Sequence, residues 1–166
     1  PGESMAIVGP SGAGKSTLGH LLVGAPAAPD ANGKVFKQIF LVKSEPDEAS
    51  IDHLVAAGTL PWTGVRNYQA RNFMRDQMRI GDDVLFYHSS CPEPGIAGLA
   101  KVSSAAYPDE TQFDPKSPYF DPKSTREAPR WILVDVEFVE KWPAMVTLHA
   151  IKAEKALKTM LLVQKG

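Results

Sequence analysis

The stretch Pro61-Trp62-Thr63-Gly64-Val65-Arg66-Asn67-Tyr68-Gln69-Ala70-Arg71-Asn72-Phe73-Met74-Arg75 decides how this chain is read. Its first half, with Pro, Gly and Asn, reads as a loop, and Asn67 to Met78 reads as a helix. On that helix Arg71, Arg75 and Arg79 recur at every fourth position and share one face. A basic helix beside an exposed Trp and two Asn residues is what a base-binding site needs. Arg neutralises phosphate, Trp stacks on a base, and Asn hydrogen-bonds a base edge. The same spacing also fits a solvated helix face with Trp62 in the core and Asn67 as helix cap. Spacing alone leaves both readings open.

Outward from this stretch the elements alternate without a repeating βα rhythm. Upstream, Val35 to Val42 is β-branched and aromatic, a buried strand. Ser50-Ile51-Asp52-His53 opens a short helix, with Ser50 as N-cap and Gly58 as its close. Downstream, Gly81-Asp82-Asp83 is a turn, and Val84 to His88 and Ile96 to Val102 are strands, the second carrying Gly98 and preceded by Gly95. Tyr107 to Pro129 is a Pro-rich loop holding a tandem word, Phe113-Asp-Pro-Lys-Ser117 and Phe120-Asp-Pro-Lys-Ser124. Two copies are too few for a solenoid and read as turn chemistry. Trp131 to Val139 reads as a strand, Ala150 to Met160 as a short helix, and Leu161 to Gly166 as the beginning of another strand.

Composition narrows the function classes. The 166 residues suit one main domain, with 43% hydrophobic and 22% charged residues. Lys+Arg 18 against Asp+Glu 19 gives a formal charge of -1, so any nucleic-acid contact has to come from a local patch. Cys91 is the one cysteine, which excludes an intrachain disulfide and a multi-cysteine zinc site. That usage suits a reducing compartment, cytoplasmic or, in a eukaryote, nuclear. No apolar run reaches the ~20 residues of a membrane span. A chain opening on Pro1 reads as a fragment or a processed form. His20, His53 and His149 are scattered and read as solvated, and no metal site is expected.

Near the start, Gly9-Pro10-Ser11-Gly12-Ala13-Gly14-Lys15-Ser16 matches G-x-x-x-x-G-K-[ST] at each position, between a strand (Met5 to Gly9) and a helix (Lys15 to Val23). The contacts to phosphate would come from Gly9, Ser11, Gly12, Gly14, Lys15, Ser16 and Thr17, with Ser16 on Mg²⁺ if Mg-ATP binds. Residues 1–24 resemble the opening of an ABC-type transporter ATPase. Hydrolysis also needs a metal-holding acid and a residue that positions water. No Leu-Ser-Gly-Gly word occurs, and Asp135 reads as a strand residue. The loop is therefore expected to bind nucleotide weakly or to be idle, and no ATPase is expected.

A longer resemblance starts near Gln38. Phe40-Leu-Val-Lys43-Ser44-Glu45-Pro46, the Trp62 to Arg75 stretch, Gly81-Asp-Asp-Val-Leu-Phe86-Tyr87-His88-Ser89, Glu93-Pro94-Gly95-Ile-Ala-Gly98 and Asp114-Pro-Lys-Ser-Pro118-Tyr119-Phe-Asp-Pro122-Lys-Ser124 together resemble an EVE domain. That family belongs with the PUA-like barrels and is related to the YTH domains that read methylated adenine in RNA. The resemblance implies an α+β fold: a PUA-like β-barrel with flanking helices over residues 37–166, preceded by a strand–P-loop–helix appendage over 1–36. It further implies a further strand and helix beyond Gly166, so the barrel reads as short at its C-terminus, with an open edge.

By the same resemblance the pocket accepts a modified nucleobase taken out of its stack. Lys43 and Ser44 are implied at its rim, Trp62, Val65, Arg66 and Asn67 along its lining, and Tyr87 and His88 nearby. Arg71 and Asn72 are implied as contacts to the nucleic-acid backbone, and the helical spacing adds Arg75 and Arg79 from the same basic face. The leading expectation is non-catalytic binding of a modified base in DNA or RNA. P-loop nucleotide binding and a small-ligand module that never meets a polymer are the alternatives.

Overall fold

The computed structural model describes residues 5–8, 39–157 and 162–163. Its strands are β1 (Met5–Val8), β2 (Ile39–Ser44), β3 (Thr59–Pro61), β4 (Asp83–His88), β5 (Gly95–Val102), β6 (Tyr107–Pro108), β7 (Ile132–Leu133) and β8 (Asp135–Thr147). Among the described residues the helices named between and after them are α1 (Ile51–Ala57), α2 (Tyr68–Asp76) and α3 (Leu148–Ala153). One mixed sheet runs β1-β2-β4-β5-β8-β3, and β6 pairs with β7 as a separate ribbon. The β1, β2 and β4 strands are mutually parallel, and the other pairings are antiparallel. The architecture is α+β, a sheet curled into a half-barrel with helices around it. The phosphate-loop residues Gly9 to Thr17 lie outside the described residues.

Local chemistry sets the helix ends. Ser50 Oγ accepts from the His53 amide at 3.1 Å while His53 Nδ1 accepts from the Ser50 amide at 3.1 Å, a reciprocal cap on α1. Gly58, at φ +74°, ends that helix. Asn67 Oδ1 accepts from the Gln69 and Ala70 amides at 2.8 and 3.1 Å and so starts α2. The helix buries Ala70, Phe73 and Met74 and stops at Asp76. Arg79 therefore lies beyond the helix, and the expected ridge of three arginines reduces to Arg71 and Arg75.

Strand alternation builds two cores from one sheet. Phe40, Val42, Val84 and Phe86 face α1 and α2 together with Leu54, Trp62, Phe73 and Met74. Leu41 and Tyr87 face the other way and meet Ile96, Ile151 and Leu162. Each large side chain so buried contributes about 1.5–3 kcal/mol relative to exposure. The β5–β8 ladder shifts register between Ile96 and Gly98 and between Leu99 and Ala100, and such bulges bend a sheet. Gly98 is required there, because a Cβ would collide with the Glu140 carbonyl oxygen of β8.

Three elements differ from their sequence expectations. The Trp131 to Val139 strand splits at Val134, and β8 continues to Thr147. Pro143 is tolerated because no residue between Lys141 and Val146 pairs with β5, so its missing N–H breaks no ladder bond. The last helix begins earlier, at Leu148, where Thr147 Oγ1 accepts from the Ala150 amide at 3.1 Å, and it ends at Ala153. Leu162 and Val163 are helical where a strand was expected to begin.

Candidate functional site

A cavity of about 310 Å³ opens where the end of β2, the turn into α1, the end of β3 and the Pro-rich loop converge. Ser44, Glu48, Ala49, Pro61, Trp62, Thr63 and Tyr119 line it. Its size is at the small end of ligand pockets. Trp62 is its floor: the side chain is 3% exposed, and its ring meets Phe86 edge-on at 5.5 Å between centroids. The Trp62 amide donates to Val134 at 2.9 Å, tying the floor to the sheet, whereas Nε1 is buried with no described hydrogen-bond partner. Ser44 sits alongside, buried, its hydroxyl donating to the Glu45 carbonyl at 3.2 Å.

Tyr119 forms the opposite wall, and a braced loop holds it there. Arg66 donates to the Tyr119 carbonyl from Nε at 2.9 Å and from Nη2 at 2.5 Å. Arg66 also pairs with Asp109 at 2.8 Å, where the Asp109 side chain is 2% exposed. Asp109 accepts in addition from the Gly64 amide at 3.0 Å and from Thr111 Oγ1 at 2.6 Å. Burial alone would raise the Asp109 carboxyl. The hydrogen bonds from Thr111, Arg66 and the Gly64 amide outweigh it and hold the group below the usual carboxylate range. Gly64 has φ +78°, and a Cβ there would lie 2.6 Å from the Tyr119 ring. Only glycine lets that ring lie against the backbone.

The loop is pinned at a second point by Gln112, which is fully buried and fully satisfied. Its Nε2 donates to the carbonyls of Asp109 and Trp131 at 2.8 and 2.9 Å, and its Oε1 accepts from the amides of Arg130 and Trp131 at 2.9 Å each. At the pocket mouth Tyr119 Oη donates to Glu48 Oε1 at 3.3 Å. Burial first, and the Glu48 charge second, push the Tyr119 phenol upward, so it stays a neutral donor.

The residues singled out from sequence fall into three places. Ser44 and Trp62 line the cavity. Lys43 and Tyr87, paired across β2 and β4, point to the opposite face, since side chains alternate along a strand. Tyr87 is buried in the second core, which pushes its phenol up to about 12. The remaining pocket candidates have structural partners. Val65 is 1% exposed in the core, Arg66 is the brace, and Asn67 caps α2. His88 shares the pocket's side of the sheet, but its Nε2 accepts from the Ile51 amide at 3.0 Å, so it serves α1. Burial lowers its pKa, with Asp52 opposing and Lys141 assisting, and keeps the ring neutral as an acceptor.

The basic residues of α2 are engaged with the protein itself. Arg71 donates to Asn72 Oδ1 at 2.9 Å and to the Arg130 carbonyl at 2.7 Å. Arg75 pairs with Asp76 at 2.7 Å, and Arg79 donates to the carbonyls of Met78 and Asp76 at 3.0 and 2.6 Å. Glu48, Thr63 and Tyr119 had no site role in the sequence reading. Tyr119 carried one usable signal: it is an aromatic residue set between two copies of the same turn word. Among the described residues, no group of three or more His, Cys, Asp and Glu side chains is placed to hold a metal ion. No described helix is long and apolar enough to cross a membrane.

Comparison with known proteins agrees with this architecture. A protein from Pseudomonas putida, solved by X-ray crystallography, shares 52% identity and superposes with a TM-score of 0.74, over 77% of this chain and 85% of that one. Human THYN1 protein, solved in complex with 5-methylcytosine containing DNA, is 44% identical with a TM-score of 0.70, over 75% of this chain and 84% of that one. Human thymocyte nuclear protein 1 is 46% identical over 125 residues, which are 69% of this chain and 55% of that protein. The chain thus spans about half the length of that relative. The ABC transporter family matches residues 1–72, where β2, α1, β3 and the start of α2 belong to the curled sheet and its helices. The EVE domain family matches residues 38–166, which carry β2 through α3 and every residue lining the cavity, and the chain belongs to that family.

Proposed function

We propose that this chain binds DNA carrying a modified base, without catalysis, and seats that base in the cavity between Trp62 and Tyr119. The observation that carries the reading is the relative solved with 5-methylcytosine containing DNA, 44% identical and sharing the fold. The cavity supplies suitable chemistry. The Tyr119 ring offers stacking surface, worth about 1–3 kcal/mol per base, over a floor formed by the buried Trp62. Such a gain offsets the few kcal/mol that flipping a base from the duplex costs. The Glu48 carboxylate accepts hydrogen bonds only, which suits an exocyclic amine such as that of cytosine. A non-catalytic role also suits His88 Nε2, committed to the Ile51 amide, and the Asp109 carboxylate, committed to Gly64, Arg66 and Thr111.

The test is a binding titration of duplex oligonucleotides that differ in a single 5-methylcytosine, run beside free 5-methyl-2′-deoxycytidine. Tighter binding of the methylated duplex supports the reading. Equal affinity for both duplexes refutes modified-base recognition with this modification. Nucleoside binding without duplex binding favours the small-ligand alternative.

A second reading attaches to the phosphate loop, supported by its complete G-x-x-x-x-G-K-[ST] word and by the ABC transporter match over residues 1–72. We infer weak Mg-ATP binding through Gly14, Lys15 and Ser16 without turnover. ATP hydrolysis that disappears in Lys15→Ala would overturn it.

A further inference from the structure

We propose that the tandem Phe-Asp-Pro-Lys-Ser words form a two-point phosphate clamp, with Lys116 and Lys123 holding the DNA backbone on either side of the seated base. The proposal rests on the base-binding reading and supplies the backbone contact that reading lacks. The arginines of α2 are poor candidates for that contact, since each donates within the protein. Arg71 meets Arg130 and Asn72, Arg75 meets Asp76, and Arg79 meets Met78 and Asp76. Part of each guanidinium fork is thereby committed to the protein.

The two repeats close as the same turn. In the first, Asp114 Oδ1 accepts from the Lys116 amide at 2.9 Å and the Asp114 carbonyl accepts from the Ser117 amide at 2.9 Å. In the second, Asp121 Oδ1 accepts from the Lys123 amide at 2.9 Å and the Asp121 carbonyl from the Ser124 amide at 3.0 Å. Each Asp spends its carboxylate on shaping the turn, and each turn leaves its lysine exposed. No hydrogen bond or ion pair joins either lysine ammonium to a described residue.

The turns are also fixed relative to the pocket. Tyr119, which lines the cavity, lies between them, and Arg66 grips its carbonyl. The second turn is anchored by the Asp121 amide to the Gln112 carbonyl at 3.0 Å, and by Trp131 Nε1 to Asp121 Oδ2 at 2.8 Å. The two lysines stand three residues before and four after Tyr119, on turns closed by their own hydrogen bonds, a spacing that suits a polyanion passing the pocket mouth. A lysine ammonium is a strong point-charge ligand for phosphate.

The experiment is the salt dependence of binding to a duplex with one 5-methylcytosine, for the intact chain and for Lys116→Gln, Lys123→Gln and the double variant. Each lysine on phosphate adds about 0.9 to the slope of log K against log salt. We expect each single variant to flatten the slope by about that amount and the double variant by about twice it. Lys101→Gln, a residue paired with Glu137 on the sheet, controls for loss of one positive charge. A double variant that keeps the slope of the intact chain overturns the clamp. The ratio of affinities for methylated and unmethylated duplexes is read in the same titrations. A flattened slope with no methyl preference in the intact chain would retain the clamp and refute the base reading. An unchanged slope with methyl preference intact would do the reverse.

Discussion

The face of the β2–β4 pair that carries Ser44 and His88 differs from the face that carries Lys43 and Tyr87 in what covers it. On the first face, Phe40, Val42, Val84 and Phe86 pack under α1 and α2, and the row ends at Ser44 beside a cavity floored by Trp62. On the second, Leu41 and Tyr87 are sealed by Ile151 and Leu162. Neighbouring residues of one strand therefore have unlike duties. A short word such as Lys43-Ser44 or Tyr87-His88 places one residue towards the cavity side and the other away from it.

That contrast can be broken from the pocket side alone. The largest effect is expected for Asp109→Ala, which strands the Arg66 guanidinium, 14% exposed, and frees the Gly64 amide. Loss of one partner from such a pair costs about 3–5 kcal/mol. Denaturant midpoints should show that loss, and hydrogen exchange should show the Pro-rich loop opening while amides beside Leu41 and Ile151 keep their protection relative to the global stability. Next is Gly64→Ala, which drives a methyl into the Tyr119 ring at a positive φ and should cost about 1–3 kcal/mol. The same change should weaken duplex binding, because the pocket wall is displaced.

Two smaller effects sharpen the contrast. Asn67→Ala removes the α2 cap and should cost about 1 kcal/mol, measured as a lowered denaturant midpoint. Base preference should survive, since the Asn67 side chain is spent on the Gln69 and Ala70 amides. Acidification should act through His88. Its folded pKa is depressed, so its contribution is complete above the unfolded value of about 6.5 and is lost as pH falls through the folded value. Protonation removes the acceptor for the Ile51 amide, an effect of about 1 kcal/mol. Stability measured across this range should slope with pH in the intact chain and flatten in His88→Gln.

Much of the frame was legible from residues alone. Ser50 and Gly58 bracket α1 as their chemistry dictates, and Asn67 starts α2. The α+β class came through the resemblance carried by the words from Phe40 to Ser124, and the sheet and its helices have it. The pocket was legible only in part, because Glu48 and Tyr119 are 71 positions apart in sequence and meet only after the loop closes. No periodicity encodes such a meeting. The second half of β8 was hidden for another reason: it is mostly exposed and contains Pro143, so neither burial alternation nor strand propensity marks it. The basic ridge misled because helical spacing was extended past Asp76, where the chain leaves the helix.

The most direct test of the pocket compares Tyr119→Ala with Tyr87→Phe, one tyrosine from each side of the sheet. The quantity is the ratio of affinities for duplexes with and without a single 5-methylcytosine, with folding verified for both variants. Tyr119→Ala should weaken binding by about 1–3 kcal/mol, through loss of a stacking wall, and bring the ratio towards unity. Tyr87→Phe should leave both affinity and ratio as they are in the intact chain. A folded Tyr119→Ala variant that keeps the full preference for the methylated duplex would contradict the assignment of this cavity as the base site.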